Sequence, residues 1–161
     1  NGVAISLDYK IPDYVKRLPC VGLRFALGTE CKSVRYLAYG GQESYRDMRS
    51  CAKDIWRERI SNQYFHYIKP QESGNRTGAE FVQIQGKMNI TCNRAFDFSV
   101  LPYSAEELMR AQHDFELRRP SAVYVFLGEQ EGVGSAACGP VLAEEYRVPR
   151  EGAFRFELEL L

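Results

Sequence analysis

Four short runs hold most of the side chains that could do chemistry. The first is Gly40-Gly41-Gln42-Glu43-Ser44-Tyr45-Arg46-Asp47. Paired glycines permit positive φ and close backbone approach. A carboxylate and a phenol then follow on a loop at a strand end, as a polar-ligand site requires. The same residues also suit a plain turn whose polar groups satisfy its own backbone. The second run, Tyr67 to Gly78, sets Gln71-Glu72 and Asn75-Arg76 on either side of Gly74. Such pairs of acceptors and donors match sugar hydroxyls, and Tyr64, Phe65, His66 and Tyr67 could wall a sugar ring. The competing reading is an ordered loop in which Glu72 and Arg76 pair with each other. The third run is His113-Asp114 with Glu116. It could do acid–base work, or His113 could serve a helix C-terminus and the core. The fourth is Gly132-Val-Gly-Ser-Ala-Ala-Cys-Gly139. It lacks the Gly-Lys-Ser/Thr of a phosphate loop. Cys138 has no basic neighbour in sequence to activate it. A small-residue loop that packs closely on another surface, exposed and mobile until that surface arrives, fits it better.

Composition removes several classes of function. The chain has 161 residues and is 45% apolar, enough for one domain with a real core. Lys+Arg and Asp+Glu both number 21, so no basic excess points to nucleic acid or a membrane surface. No run approaches the length of a membrane span. The five cysteines, Cys20, Cys31, Cys51, Cys92 and Cys138, are odd in number and include no C-x-x-C. They are expected to be buried, reduced thiols rather than a disulfide framework. With two histidines available, no metal site is expected. The chain opens Asn-Gly-Val without a methionine, and is expected to start inside a longer protein. The sequons at Asn75 and Asn89 are common by chance and carry little weight.

The elements that must position these runs read as β. Val3 to Tyr9, Val21 to Leu27, Ser33 to Tyr39, Ala79 to Gln85 and Lys87 to Cys92 alternate or run apolar. Phe96 and Phe98 share a face of a further strand. Ser121 to Leu127 reads as a buried strand. Phe154, Phe156, Leu158 and Leu160 oppose Arg155, Glu157 and Glu159 on a strand with one wet face. One helix is predicted: Ser104 caps it, Glu107 completes a capping box, and Ala105, Leu108, Met109 and Gln112 make its stripe. Cys51 to Ser61 fits either helix or strand. Many short strands separated by turn signals argue for a β-sandwich or barrel.

Taken together, the four runs resemble the C-terminal, small-chain domain of the β-galactosidases of glycoside hydrolase family 2. The family pattern Leu-Gly-x-Gly-Pro-x-Glu-x-Tyr-x-Asp reads here as Tyr39 to Asp47, one residue shorter and without the proline. It puts Glu43 and Tyr45 on motif positions. Tyr-x-x-Pro-x-Glu-x-Gly-x-Arg is met by Tyr67, Pro70, Glu72, Gly74 and Arg76. Tyr-Ser-x-x-x-Leu…His-Asp-x-x-Leu is met by Tyr103, Ser104, Leu108, His113, Asp114 and Leu117. Gly132, Gly134, Cys138 and Pro140 match the glycine loop. The likeness runs from about Leu18 to Leu161. Each motif is weak, but four in order over that length are not expected by chance.

The resemblance implies an all-β fold: a β-supersandwich of galactose-mutarotase type, truncated on its N-terminal side, with one partial domain over residues 1–161. It implies no catalytic residue in this chain. The family's paired glutamates lie on a TIM barrel about 5 Å apart, as retaining chemistry requires. The residues it marks as substrate-rim candidates are Glu72, Arg76, His113, Cys138 and Gly139, with Glu43, Tyr45, Gly74 and Asp114 as motif positions. It implies no cofactor within this chain, with a divalent cation in the parent enzyme. The implied partners are the parent's remaining domains, a galactoside bound through the parent, and further copies of the parent. Its compartment would be bacterial cytoplasm or periplasm. Some members carry a tryptophan in the glycine loop; here Cys138 takes that place, which puts aromatic stacking from this loop in question. Two alternatives stand beside this reading. One is a free-standing mutarotase-like enzyme using His66 or His113 with Glu72. The other is a carbohydrate-binding module.

Overall fold

The alternating runs form one open antiparallel sheet of eight strands in the computed structural model, which describes residues 1–134 and 140–161. The strands are β1 (Gly2–Lys10), β2 (Cys20–Leu27), β3 (Ser33–Tyr39), β4 (Lys53–Arg59), β5 (Arg76–Ile84), β6 (Met88–Leu101), β7 (Val123–Gln130) and β8 (Glu151–Leu160). All pairings are antiparallel. The β6 strand organises the sheet. One edge runs along β5; the other pairs Met88–Cys92 with β8 and Asp97–Leu101 with β7. The sheet therefore forks, with β1 beyond β8 and β2 beyond β7. The β1, β2 and β4 strands each have one hydrogen-bonded neighbour, so three edges are open among the described residues.

Period-two patterning sets the core. Val34, Tyr36, Val82, Ile84, Ile90, Phe98, Val100, Val125, Leu127 and Phe154 are all fully buried on the inner face. Phe154 stacks on Phe156 at 5.2 Å, and Phe96 meets Phe156 edge-on at 5.4 Å. Ile5, Leu7 and Tyr9 of β1, and Leu23, Phe25 and Leu27 of β2, are only partly covered. The inner face thus thins out toward two of the open edges.

Several elements differ from the sequence reading. Lys87–Cys92 and the Phe96–Phe98 run are one 14-residue strand, because β5 pairs along both halves across two register shifts. The ambiguous segment at 51–61 is strand β4 followed by a single 3-10 turn at Ile60–Asn62. Register with β3 from Ser33↔Arg59 to Tyr39↔Lys53 decides it, since a helix would leave that edge of β3 unpaired. The β7 strand starts and ends later than expected, and β5 starts earlier, at Arg76. The four described cysteines are free but not uniformly buried: Cys31 is buried, Cys51 and Cys92 are half-buried, and Cys20 is exposed.

One α-helix occurs among the described residues, α1 (Ala105–Arg110). Its capping box is complete. The Ser104 Oγ accepts from the Glu107 N–H at 3.1 Å, and Glu107 Oε2 accepts from the Ser104 N–H at 2.8 Å. The helix is shorter than its apolar stripe suggested. Ala111 is already extended, and Lys69 Nζ donates to its carbonyl at 3.0 Å. Leu108 is buried, whereas Met109 is 78% exposed. No helix of the described residues is long and apolar enough to cross a membrane. Replacing Ser104 by Ala is expected to cost about 1 kcal/mol in a urea titration, through loss of the cap.

Candidate functional site

The Gly40–Asp47 run leaves the end of β3 and turns back on itself. Gly41 has φ +81, and a Cβ there would strike the Trp56 indole, so the positive φ and the close approach both require glycine. Tyr45 and Met48 exchange backbone hydrogen bonds at 3.0 and 2.9 Å, which closes the turn. Its side chains then reach outward to other loops. Glu43 accepts from the Tyr67 hydroxyl at 2.6 Å and from the Gly74 N–H at 2.9 Å. Ser44 and Asn75 bond reciprocally: the Ser44 N–H donates to the Asn75 carbonyl at 2.8 Å, and Asn75 Nδ2 donates to the Ser44 carbonyl at 2.9 Å. The buried Tyr45 hydroxyl donates to Glu72 at 2.9 Å. Asp47 accepts from the N–H groups of Val133 and Gly134 at 2.9 and 2.8 Å. Between them, Arg46 pairs with the buried Glu129.

Beneath this turn lies Arg76, the first residue of β5, 2% exposed. Its Nε donates to the Tyr36 hydroxyl at 3.1 Å, and Nη1 donates to the Gly74 and Asn75 carbonyls at 3.1 and 3.3 Å. Its Nη2 lies 3.5 Å from Glu58. Glu72 and Arg76 therefore do not pair, contrary to the expectation from their spacing. Gly74, at φ +74, turns the chain so that Arg76 enters a strand and its interior, while Glu72 stays on the loop with Tyr45. Glu58 also accepts from Gln63 Nε2 at 2.6 Å. Gln63 is 2% exposed, and its Oε1 has no hydrogen-bond partner among the described residues. This hub borders a cavity of about 370 Å³ lined by Gln42, Glu43, Asn62, Gln63, Phe65 and Arg76 among others. Donors, acceptors and one exposed ring around that volume suit a small hydroxyl-bearing molecule. Sequence reasoning missed Tyr36, Glu58 and Gln63. They stand in or just past strands, inside no motif, and only β3–β4–β5 pairing brings them to Arg76.

Burial pushes the phenols of Tyr36 and Tyr67 up to about 12, and that of Tyr45 further up. All three stay protonated and act as donors. Crowding by protein pushes the Glu72 carboxyl up to about 7; the Tyr45 hydrogen bond opposes the rise and the Glu43 charge adds to it. The residue is nonetheless exposed in part, so it sits in a cleft, with protein on most sides and screening water on one.

The remaining candidates are placed as follows. His113 is exposed, lies 3.1 Å from Glu116 and stacks on Phe115 at 5.1 Å. It does not serve the core, because α1 ends three residues earlier and the chain has already left the sheet. Asp114 faces His66 at 3.0 Å, and its N–H reaches the Ile68 carbonyl at 3.3 Å. The 113–116 turn thus leans on the 65–68 loop. Neither histidine hydrogen-bonds to Glu72. The expected stacking wall is broken up: Tyr64 is buried, while Phe65 and His66 are exposed. Of the glycine loop, Gly132 is buried and Gly134 half-buried, and both lie beside Asp47. Its start is therefore anchored rather than loose. Cys138 and Gly139 lie outside the described residues.

An open antiparallel β domain whose loops are tied together at one end by a single Glu-Ser-Tyr-Arg-Asp turn is the class of protein these observations define. Residues 1–160 match the β-galactosidase small-chain family, and the chain belongs to it. It is 31% identical over 161 residues to a β-galactosidase of Actinobacillus pleuropneumoniae, covering 99% of this chain and 16% of that protein. Over 167 residues it is 32% identical to the β-galactosidase of Kluyveromyces lactis, covering 99% and 16%. The Streptococcus thermophilus β-galactosidase is 32% identical over 139 residues, covering 82% and 14%. The chain therefore spans about 16% of the length of such relatives.

Two outcomes are expected from this geometry. Gly74→Ala should cost about 3 kcal/mol in chemical denaturation, because it loses an accessible positive φ and drives a Cβ into the Gln63 carbonyl. Glu72 should make folding stability fall as pH rises. Its folded pKa, about 7, lies above the ordinary 4.5, so the folded state holds the proton longer. The contribution is full below about 4.5 and lost on passing through about 7. Thermal melts across that window should flatten in Glu72→Gln relative to the parent sequence.

Proposed function

We propose that this chain is the small-chain domain of an enzyme that hydrolyses terminal non-reducing β-D-galactose residues, and that it completes the active-site rim and supports assembly. The observation that carries this reading is the Glu43–Asp47 turn, which fixes the 67–76 loop and the start of the glycine loop at one end of the sheet. A rim needs loops held in fixed relation by a rigid scaffold. In this reading Glu72, His113, Cys138 and Gly139 lie on the rim, and Arg76, buried, positions the loop from below. The catalytic glutamates of a retaining mechanism lie on another domain of the parent, as does any divalent cation. The open edges β1, β2 and β4 suit a larger supersandwich of mutarotase type. The partners are the other domains and further copies of the parent.

The cavity beside Gln63 favours a second reading, direct sugar binding by this chain, since Oε1 has no donor among the described residues and a sugar hydroxyl could supply one. Titration of the isolated chain with galactose separates the two: saturable binding supports the second reading.

The isolated chain is expected not to turn over a nitrophenyl β-galactoside. Hydrolysis above buffer background, abolished by changing its own carboxylates, would refute the assignment. In the full-length enzyme, Asp47→Ala should lower kcat/KM about tenfold, a loss of about 1.4 kcal/mol of transition-state binding. A secondary-structure spectrum should stay unchanged. Full activity in that variant would remove the rim role from the glycine loop.

A further inference from the structure

At the Ser33 end of β3, opposite the end that leads into the Gly40–Asp47 turn, a groove of about 730 Å³ runs between the β3–β4 ends and the 119–123 segment. Lys32, Arg57, Arg59 and Arg119 line it. All four are exposed, and none makes an ion pair among the described residues. Register explains how the first three gather, and the 119–123 segment brings Arg119 to them. Arg59 lies opposite Ser33, beside Lys32, whose carbonyl accepts from the Ile60 N–H at 2.9 Å. Arg57 and Arg59 are two residues apart on one strand, so they point the same way about 7 Å apart.

The acids that could neutralise this group are engaged elsewhere. Glu30 pairs with Lys87 at 2.8 Å. Glu58 also lines the groove, but its carboxylate accepts from Tyr36 and Gln63 and lies beside the buried guanidinium of Arg76. The groove is therefore lined by four cations and one carboxylate, which a fifth cation already matches, in a chain with formal net charge zero. Like charges at this spacing repel weakly across solvent, and a bound anion would relieve that repulsion and gain from all four at once. Ser33 and Gln85 add hydroxyl and amide groups, and Ile60 and Val123 give the floor an apolar strip.

We propose that this groove is a binding site for a multivalent oxyanion, a phosphate or sulfate group free or carried on a small organic body. Guanidinium forks match tetrahedral oxyanions in geometry and charge. The spacing of Arg57 and Arg59 favours two linked anionic centres over one. The site lies apart from the loop cluster and does not depend on the rim role.

Calorimetric titration of the 161-residue chain with inorganic pyrophosphate tests it. Saturable binding is expected, tighter than with inorganic phosphate. Arg59→Gln should weaken it about tenfold, and Arg57→Gln with Arg59→Gln about a hundredfold. Arg24→Gln, on β2 and paired with Glu106, should leave it unchanged. Arg57 and Arg59 are both exposed, so the variants are expected to fold, which a thermal melt without ligand checks. A phenyl phosphate arm separates the two sources. Tighter binding than inorganic phosphate assigns an ester over the apolar strip, and equal binding assigns the free ion. No saturable heat overturns the proposal. So does equal affinity in the double variant, or a response that sodium chloride reproduces at matched ionic strength.

Discussion

The loop end of this domain depends on the carboxylate of Glu43. It accepts from the Gly74 N–H and the Tyr67 hydroxyl at once, and so fixes the turn at 40–48 against the loop at 67–76. A charged acceptor makes each of these bonds stronger than a neutral one would. The residues on either side extend the arrangement. Tyr45 reaches Glu72, Ser44 and Asn75 bond reciprocally, and Asp47 takes the two N–H groups that open the glycine loop. Five consecutive residues thus join three stretches of chain far apart in sequence. Loop closure over such separations is entropically unfavourable, and bonds from one rigid turn offset it together.

The turn is itself held from below. Arg76 sits inside the sheet with its guanidinium shared among Tyr36, Glu58 and the carbonyls of Gly74 and Asn75. A buried guanidinium without those partners would be strongly destabilising. With them, it fixes the direction in which β5 leaves the loop. Arg76 therefore belongs to the scaffold, although its place in a sugar-like motif suggested the rim. Burial also explains why its spacing from Glu72 misled. Four residues apart on a loop gives proximity along the chain, but a strand beginning at residue 76 turns one side chain inward and leaves the other outside.

The sequence was legible where pattern and position coincide. Alternation at Phe154–Leu160 gave strand and face together, and Ser104 with Glu107 gave a helix start that the structure reproduces to the hydrogen bond. The four motifs located the family, and three of them lie on the loops that meet at the Glu43–Asp47 turn or on their neighbours. What the sequence hid was pairing. Nothing local in Tyr36, Glu58 or Gln63 announces a polar hub, since each reads as an ordinary strand or turn residue. Only the alignment of β3 with β4 and β5 brings them to Arg76. The 51–61 segment was unreadable for the same reason: its own residues tolerate helix or strand, and the neighbouring edge of β3 decides. His113 shows the converse. Its neighbours suggested service to a helix end, but the helix stops after Arg110 and leaves it in solvent.

Glu58 joins the two polar regions of the molecule. From inside, it is the carboxylate against which Arg76 is buried, and it takes bonds from Tyr36 and Gln63. From outside, it lies on the wall of the groove lined by Lys32, Arg57, Arg59 and Arg119. Its negative charge can be counted only once. Because the interior guanidinium holds it, the groove keeps its positive field. Were Glu58 turned outward to neutralise Arg57 and Arg59, Arg76 would be left buried with hydroxyl and carbonyl partners alone. The desolvation penalty of an unpaired buried cation exceeds what an exposed ion pair returns. The arrangement with a neutral interior and a basic groove is thus the one that electrostatics favours. The charge on the outer face follows from how the loop-bearing Arg76 is held within.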